Sequence, residues 1–123
     1  MIINNDRFGN MMMKLPLALT ALTLTTAFAF PVAADDAPTF EIVIKNHKFE
    51  PLTLEVPANK KVKLIVKNQD PTPEEFESYE LNREKVIAGN SQAVIFIGPL
   101  EPGTYPYFGE FNMATAQGKI VAK

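Results

Sequence analysis

From residue 39 onward, apolar and polar positions alternate with a period of two, broken every few residues by turn formers. Phe40, Ile42 and Ile44 alternate with Glu41, Val43 and Lys45. Leu52, Leu54 and Val56 alternate with Thr53 and Glu55, and Val62, Leu64 and Val66 with Lys61, Lys63 and Lys67. Residues 91–97, 104–108 and 119–122 continue the pattern. Successive side chains of an extended chain point to opposite faces, so such runs, rich in β-branched and aromatic residues, predict half-buried strands. Turn chemistry punctuates them at 57–59, 70–73, 88–90 and 101–103, with Pro102 and Gly103 suited to the centre of a type II turn. About seven short strands so bounded predict an all-β fold, an antiparallel Greek-key β-sandwich. Residues 74–85 are the one stretch with room for a helical turn, and 76–81 reads as a strand leading into a loop.

Residues 1–34 follow a different rule. Arg7 and Lys14 precede an apolar run from Leu15 to Phe30, which closes on Val32, Ala33 and Ala34 ahead of Asp35 and Asp36. A charged start, an apolar stretch and small residues at a cleavage point predict a secretory signal peptide over 1–34. The apolar run is shorter than the ~20 residues of a membrane span. Met11, Met12 and Met13 each offer an alternative start, which would leave residues 1–12 as an over-long beginning. The mature domain is then 35–123, exported to the periplasm and not integral to the membrane after cleavage.

Composition narrows the chemistry. The 123 residues contain no cysteine and one histidine, His47. That removes disulfides, thiolate nucleophiles, iron–sulfur clusters and any site needing two imidazoles. A formal net charge of −2 argues against nucleic acid as a partner. A domain of this size must hold itself together by packing alone.

The segments 49–57 (FEPLTLEVP), 62–70 (VKLIVKNQD), 100–105 (LEPGTY) and 118–121 (GKIV) resemble, in that order, the framework of the cupredoxins. The resemblance spans about residues 39–123. It implies a cupredoxin-like sandwich of seven to eight strands with a metal site at one end, built from a loop after Asn68 and a loop after Tyr105. In blue-copper members the later loop supplies Cys, His and Met, and the earlier loop a further His. Those positions fall here at Gly109, Asn112, near Ala116, and at Glu74. All four type-1 copper ligands are absent, which excludes the usual His₂Cys centre.

Residues 72–85 (TPEEFESYELNREK) and 107–111 (YFGEF) are similar to the cupredoxin-like subunits of bacterial ferrous-iron uptake systems. They also resemble the cupredoxin domain of EfeO-type iron-uptake proteins, where Glu75 and Glu77 match acidic positions of a Glu-aromatic-Glu motif. That domain carries cysteines which this chain lacks. The resemblance implies copper and/or iron as the bound metal. It also implies work beside a periplasmic iron-binding protein and an iron permease, in support of Fe(II) oxidation or iron transfer.

The candidate metal ligands are His47, Glu75, Glu77, Glu110 and Met113. Carboxylates suit hard cations such as Fe(III), while the imidazole and the thioether suit copper. Glu75 and Glu77 alternate on a strand and so share a face, with Glu110 on the opposite loop placed to join them. Each has a plainer reading. The acidic run is also what a solvated sheet edge looks like, and His47 and Met113 are equally at home as a surface histidine and a loop packing residue. Two alternatives therefore stand beside iron uptake: a copper carrier without redox turnover, and a metal-free adaptor.

Overall fold

A computed structural model describes residues 36–123, so the signal segment expected at 1–34 lies outside the described residues. Among the described residues nine strands form: β1 Thr39–Lys45, β2 Lys48–Glu50, β3 Thr53–Val56, β4 Val62–Asn68, β5 Glu74–Ser78, β6 Arg83–Ile87, β7 Ser91–Ile97, β8 Gly103–Gly109 and β9 Gln117–Ala122. A 3-10 turn, Glu110–Asn112, interrupts the path between β8 and β9. One sheet has the order β2-β1-β4-β7, the other β3-β9-β8-β5-β6. The all-β sandwich is as the alternation predicts. Among the described residues no helix is long and apolar enough to cross a membrane.

Two details correct the expectation of a purely antiparallel fold of about seven strands. The sheets are mixed, because β1 pairs with β4 and β3 pairs with β9 in parallel. After the β1–β2 hairpin the chain passes to the other sheet as β3 and returns as β4, and such a crossover is what a parallel pair needs. Alternation fixes the face a residue takes, not the direction of the neighbouring strand. The two extra strands are short hairpin partners. β2 follows a two-residue turn in which Asn46 and His47 both have positive φ, 52° and 55°. Lys45 then faces Lys48 directly, the geometry of a type I′ hairpin. Likewise β5 ends at Ser78, a turn through Asn82 (φ 51°) reverses the chain, and β6 returns beside it. The segment 76–81 is thus half strand and half turn, and no helical turn forms at 74–85.

The core fills the space between the sheets with the predicted alternate residues, among them Ile42, Ile44, Val62, Leu64, Val66, Ile95, Ile97 and Ile120. At its centre Phe49, Phe76 and Tyr107 form an aromatic cluster. Phe49 meets Phe76 and Tyr107 edge-on at 6.2 and 5.0 Å, while Phe76 and Tyr107 stack at 4.9 Å. Edge-to-face and stacked rings add to the burial of large apolar area. Burial pushes the Tyr107 phenol up from its ordinary pKa.

Gly118 lies opposite Tyr107 in the β8–β9 register. A Cβ built there meets the Tyr107 ring at 2.5 Å, whereas one at Gly103 meets nothing nearer than 3.6 Å. Gly118→Ala is therefore expected to cost about 1–3 kcal/mol by overpacking. Gly103→Ala should stay within about 0.5 kcal/mol of the parent. Urea midpoints of the two variants test the contrast, and equal midpoints would contradict the packing described.

Candidate functional site

At one end of the sandwich, β4 hands the chain to β5 through residues 69–73, and a buried polar network fixes that loop. Asn68 donates through Nδ2 to the carbonyls of Thr72 (2.8 Å) and Ile87 (3.2 Å), and its Oδ1 accepts from the Asp70 amide at 3.0 Å. Asp70 in turn accepts from the backbone amides of Asn46 (2.8 Å) and His47 (2.9 Å). This carboxylate ties the β1–β2 turn to the loop and satisfies two amides exposed by left-handed residues. The His47 imidazole is half-exposed, with Nδ1 3.6 Å from the same Asp70 carboxylate. Its position in the fold is that of a turn residue.

Along β5 the two faces diverge. Glu74, Phe76 and Ser78 point inward, where Ser78 Oγ donates to the Pro106 carbonyl at 2.6 Å. Glu75 and Glu77 point outward. The turn Glu110–Asn112 packs against β5 and lowers the exposure of Glu75 to 7%. Carboxylate oxygens of Glu75, Glu77 and Glu110 all lie within 4.8 Å of one another. The structure therefore brings together three of the five candidates. Among the described residues His47 is not part of that group, and Met113, just beyond the turn, is exposed.

A fourth carboxylate, from the acidic run but outside the five candidate ligands, joins this face. Glu84 on β6 stands directly opposite Glu77, and Glu75 faces Val86. Like charges placed directly across a sheet are destabilising. A hydrogen bond with Glu84, loss of solvent, and the charges of Glu110, Glu84 and Glu77 push the Glu75 carboxyl up to about 7. Loss of solvent and the charges of Glu84 and Glu110 raise Glu77 as well. The signal for Glu84 lies in Asn82: an asparagine able to take positive φ, in the turn between β5 and β6, marks a hairpin that sets Glu77 and Glu84 face to face.

Behind this outward group lies a second arrangement. Glu74, 1% exposed, accepts at Oε1 from the amides of Glu75 and Phe111, both at 3.0 Å, and at Oε2 from Asn112 Nδ2 at 2.7 Å. Gly109 donates to the Ala116 carbonyl at 2.9 Å, and Ala116 donates to the Asn112 carbonyl at 2.8 Å. A Cβ at Gly109 would lie 2.6 Å from both Glu74 Cδ and Ala116 Cβ. Glu74, Gly109, Asn112 and Ala116 thus meet in space, although they are scattered over more than forty residues of chain.

A family model for the cupredoxin-like domain matches residues 18–122. An uncharacterized protein of Rickettsia prowazekii (strain Madrid E) is 48% identical over 81 residues, which is 66% of this chain and 65% of that protein. The chain thus spans about 65% of the length of that curated relative. Among solved structures, auracyanin A of Chloroflexus aurantiacus, a "blue" copper protein, is 18% identical with a TM-score of 0.60, covering 69% of this chain and 98% of its own. The metal-binding domain of a Cu(I)-exporting P-type ATPase of Streptococcus pneumoniae, solved with Cu(I), is 16% identical with a TM-score of 0.59, covering 69% and 84%. A purple cupredoxin of Nitrosopumilus maritimus is 20% identical with a TM-score of 0.53, covering 68% and 98%. These likenesses establish the fold.

The residues present do not fit the type-1 copper that such a fold implies. The four positions offer neither thiolate nor imidazole, and the carboxylate among them already accepts three hydrogen bonds. The outward trio is a different donor set, anionic and all oxygen.

A carboxyl whose folded pKa is raised binds its proton more tightly in the native state than in the unfolded chain. Native protein then carries more protons, so stability falls as pH rises between the two values. For the metal-free protein, Glu75 sets that window from 4.5 to about 7. Urea midpoints are expected to decline across it, and Glu75→Gln, which keeps a donor toward Glu84, should flatten the decline. An identical slope in the variant would contradict the assignment.

Proposed function

The chain belongs to the cupredoxin-like domain family, and from that premise we propose that it is an exported metal-handling protein supporting ferrous-iron uptake, with iron as its cargo. The observation that carries the reading is the outward trio Glu75, Glu77 and Glu110, with oxygens within 4.8 Å of one another. An anionic, all-oxygen set favours hard cations. It favours Fe(III) over Fe(II), because the higher charge gains more from the same carboxylates. Iron bound there as Fe(II) gives up one electron more readily, to an acceptor held by a partner, and the Fe(III) product is retained until transfer. The likeness of residues 72–85 and 107–111 to subunits of ferrous-iron uptake systems supports the same reading. The partners are then a periplasmic iron-binding protein and a membrane permease, and export follows from the signal-like segment 1–34. A copper carrier using His47 and Met113 draws less support, since among the described residues His47 does not join the carboxylate group.

Anaerobic titration with Fe(II), followed by addition of a one-electron acceptor such as ferricyanide, tests this reading. The protein is expected to take up iron stoichiometrically and, once the acceptor is added, to accelerate Fe(III) formation. Glu77→Gln and Glu110→Gln should each weaken binding by roughly tenfold or more, with the urea midpoint of the metal-free protein kept or raised because each removes a like charge. Uptake of Cu(I) without iron returns the copper carrier, and binding of neither metal at micromolar levels leaves only an adaptor.

A further inference from the structure

Glu110 reaches the trio because the turn that carries it is held against β5. Gly109, just before the turn, pairs with Phe76 of β5, but no residue of Glu110–Asn112 itself is buried, so beyond Gly109 the core does not fix the turn. The side-chain hydrogen bonds across the gap run from Phe111 N and Asn112 Nδ2 to Glu74, 37 and 38 residues away in the chain. The same carboxylate accepts the amide of Glu75. One buried group therefore contacts the backbone next to one member of the trio and the turn that bears another. Gly109 makes room for it: its φ of −92° and ψ of 110° suit any residue, so the requirement is space and not backbone freedom.

We infer that Glu74 is a positioning residue: occupying the place where the resemblance puts a copper ligand, it joins the two loops by hydrogen bonds and so presents Glu110 to Glu75 and Glu77. The pocket between these loops is then a closed strut rather than a metal site. A buried polar group left without partners is costly, so the carboxylate and its donors hold each other in register. The strut orients the ligands of the outer group as outer-shell partners do in metal sites, a role that rests on the function proposed above.

Two substitutions separate the hydrogen bonds from the packing. In Glu74→Gln, the side-chain oxygen replaces Oε1 and keeps both amides, and the Asn112 amide can rotate to turn its Oδ1 toward the new NH₂. Glu74→Leu keeps a side chain of similar size and removes every acceptor, so Phe111 N and Asn112 Nδ2 lose their partner.

Amide hydrogen exchange at Phe111 in the metal-free protein, together with Mn(II) binding followed by electron paramagnetic resonance, reads both consequences. E74L should speed Phe111 exchange by at least tenfold and weaken Mn(II) binding by about 10- to 100-fold. E74Q should stay close to the parent in exchange and bind Mn(II) better than E74L. Gly109→Ala, which leaves Glu74 chemically intact but displaces it, should mimic E74L. Unchanged Phe111 exchange in both E74L and Gly109→Ala, or an E74Q no better than E74L, overturns the inference. If the parent protein binds no Mn(II) or Fe(II), the metal reading fails while the exchange arm still decides the role of Glu74.

Discussion

A carboxylate placed at the inner face of an apolar sandwich must be met by hydrogen-bond donors, and that constraint organises the functional end of this molecule. Glu74 sits beside Phe76 on the strand that borders the aromatic core, with 1% of its surface exposed. Its oxygens accept from the backbone ahead of it and from a turn 37 residues later. To satisfy Glu74 the Glu110–Asn112 turn folds down onto β5, and Gly109 gives up a side chain so that the carboxylate fits. The outward carboxylates inherit their geometry from this inward one. Cupredoxins with bound copper join the corresponding loops through the metal, while this chain joins them through hydrogen bonds.

The other side of β5 carries the opposite balance. Glu77 faces Glu84 across the hairpin, Glu75 leans on Glu84, and Glu110 closes over them. Such a group opposes folding when fully ionised: the hydrogen bond with Glu84 and loss of solvent raise Glu75, loss of solvent raises Glu77, and the neighbouring carboxylate charges add to both. Stability has to come from elsewhere, and it does. The Phe49–Phe76–Tyr107 cluster and the aliphatic layers lie on the far side of the same strand. One strand thus supports the core with its even positions and concentrates negative charge with its odd ones. A hard cation would relieve the charge without touching the packing.

Much of the fold was legible because burial imposes period two. The faces of β1, β4 and β7 were readable residue by residue, as Ile42, Leu64 and Ile95 illustrate. The short strands were not. Lys48–Glu50 has too few residues to show alternation, and the burial pattern of Arg83–Ile87, exposed until its last residue, gives no apolar face to detect. For the site, Glu75 and Glu77 were legible as a pair because they lie two apart on one strand. His47 was a plausible ligand by its chemistry, but its conformation was decided by a carboxylate 23 residues away.

The sequence by itself determined that this is a cysteine-free all-β sandwich in which a blue-copper centre cannot form, and its resemblance to the cupredoxins implied that acidic residues gather where that family holds metal. The first two follow from residue identity and local spacing, which act within a strand. Only the tertiary structure decided that β1 and β3 pair in parallel, that Glu84 joins the outward group, and that Glu74 faces inward to hold Asn112. Each of those depends on which segments become neighbours. That choice is made by the whole core closing at once, so no single stretch of chain encodes it.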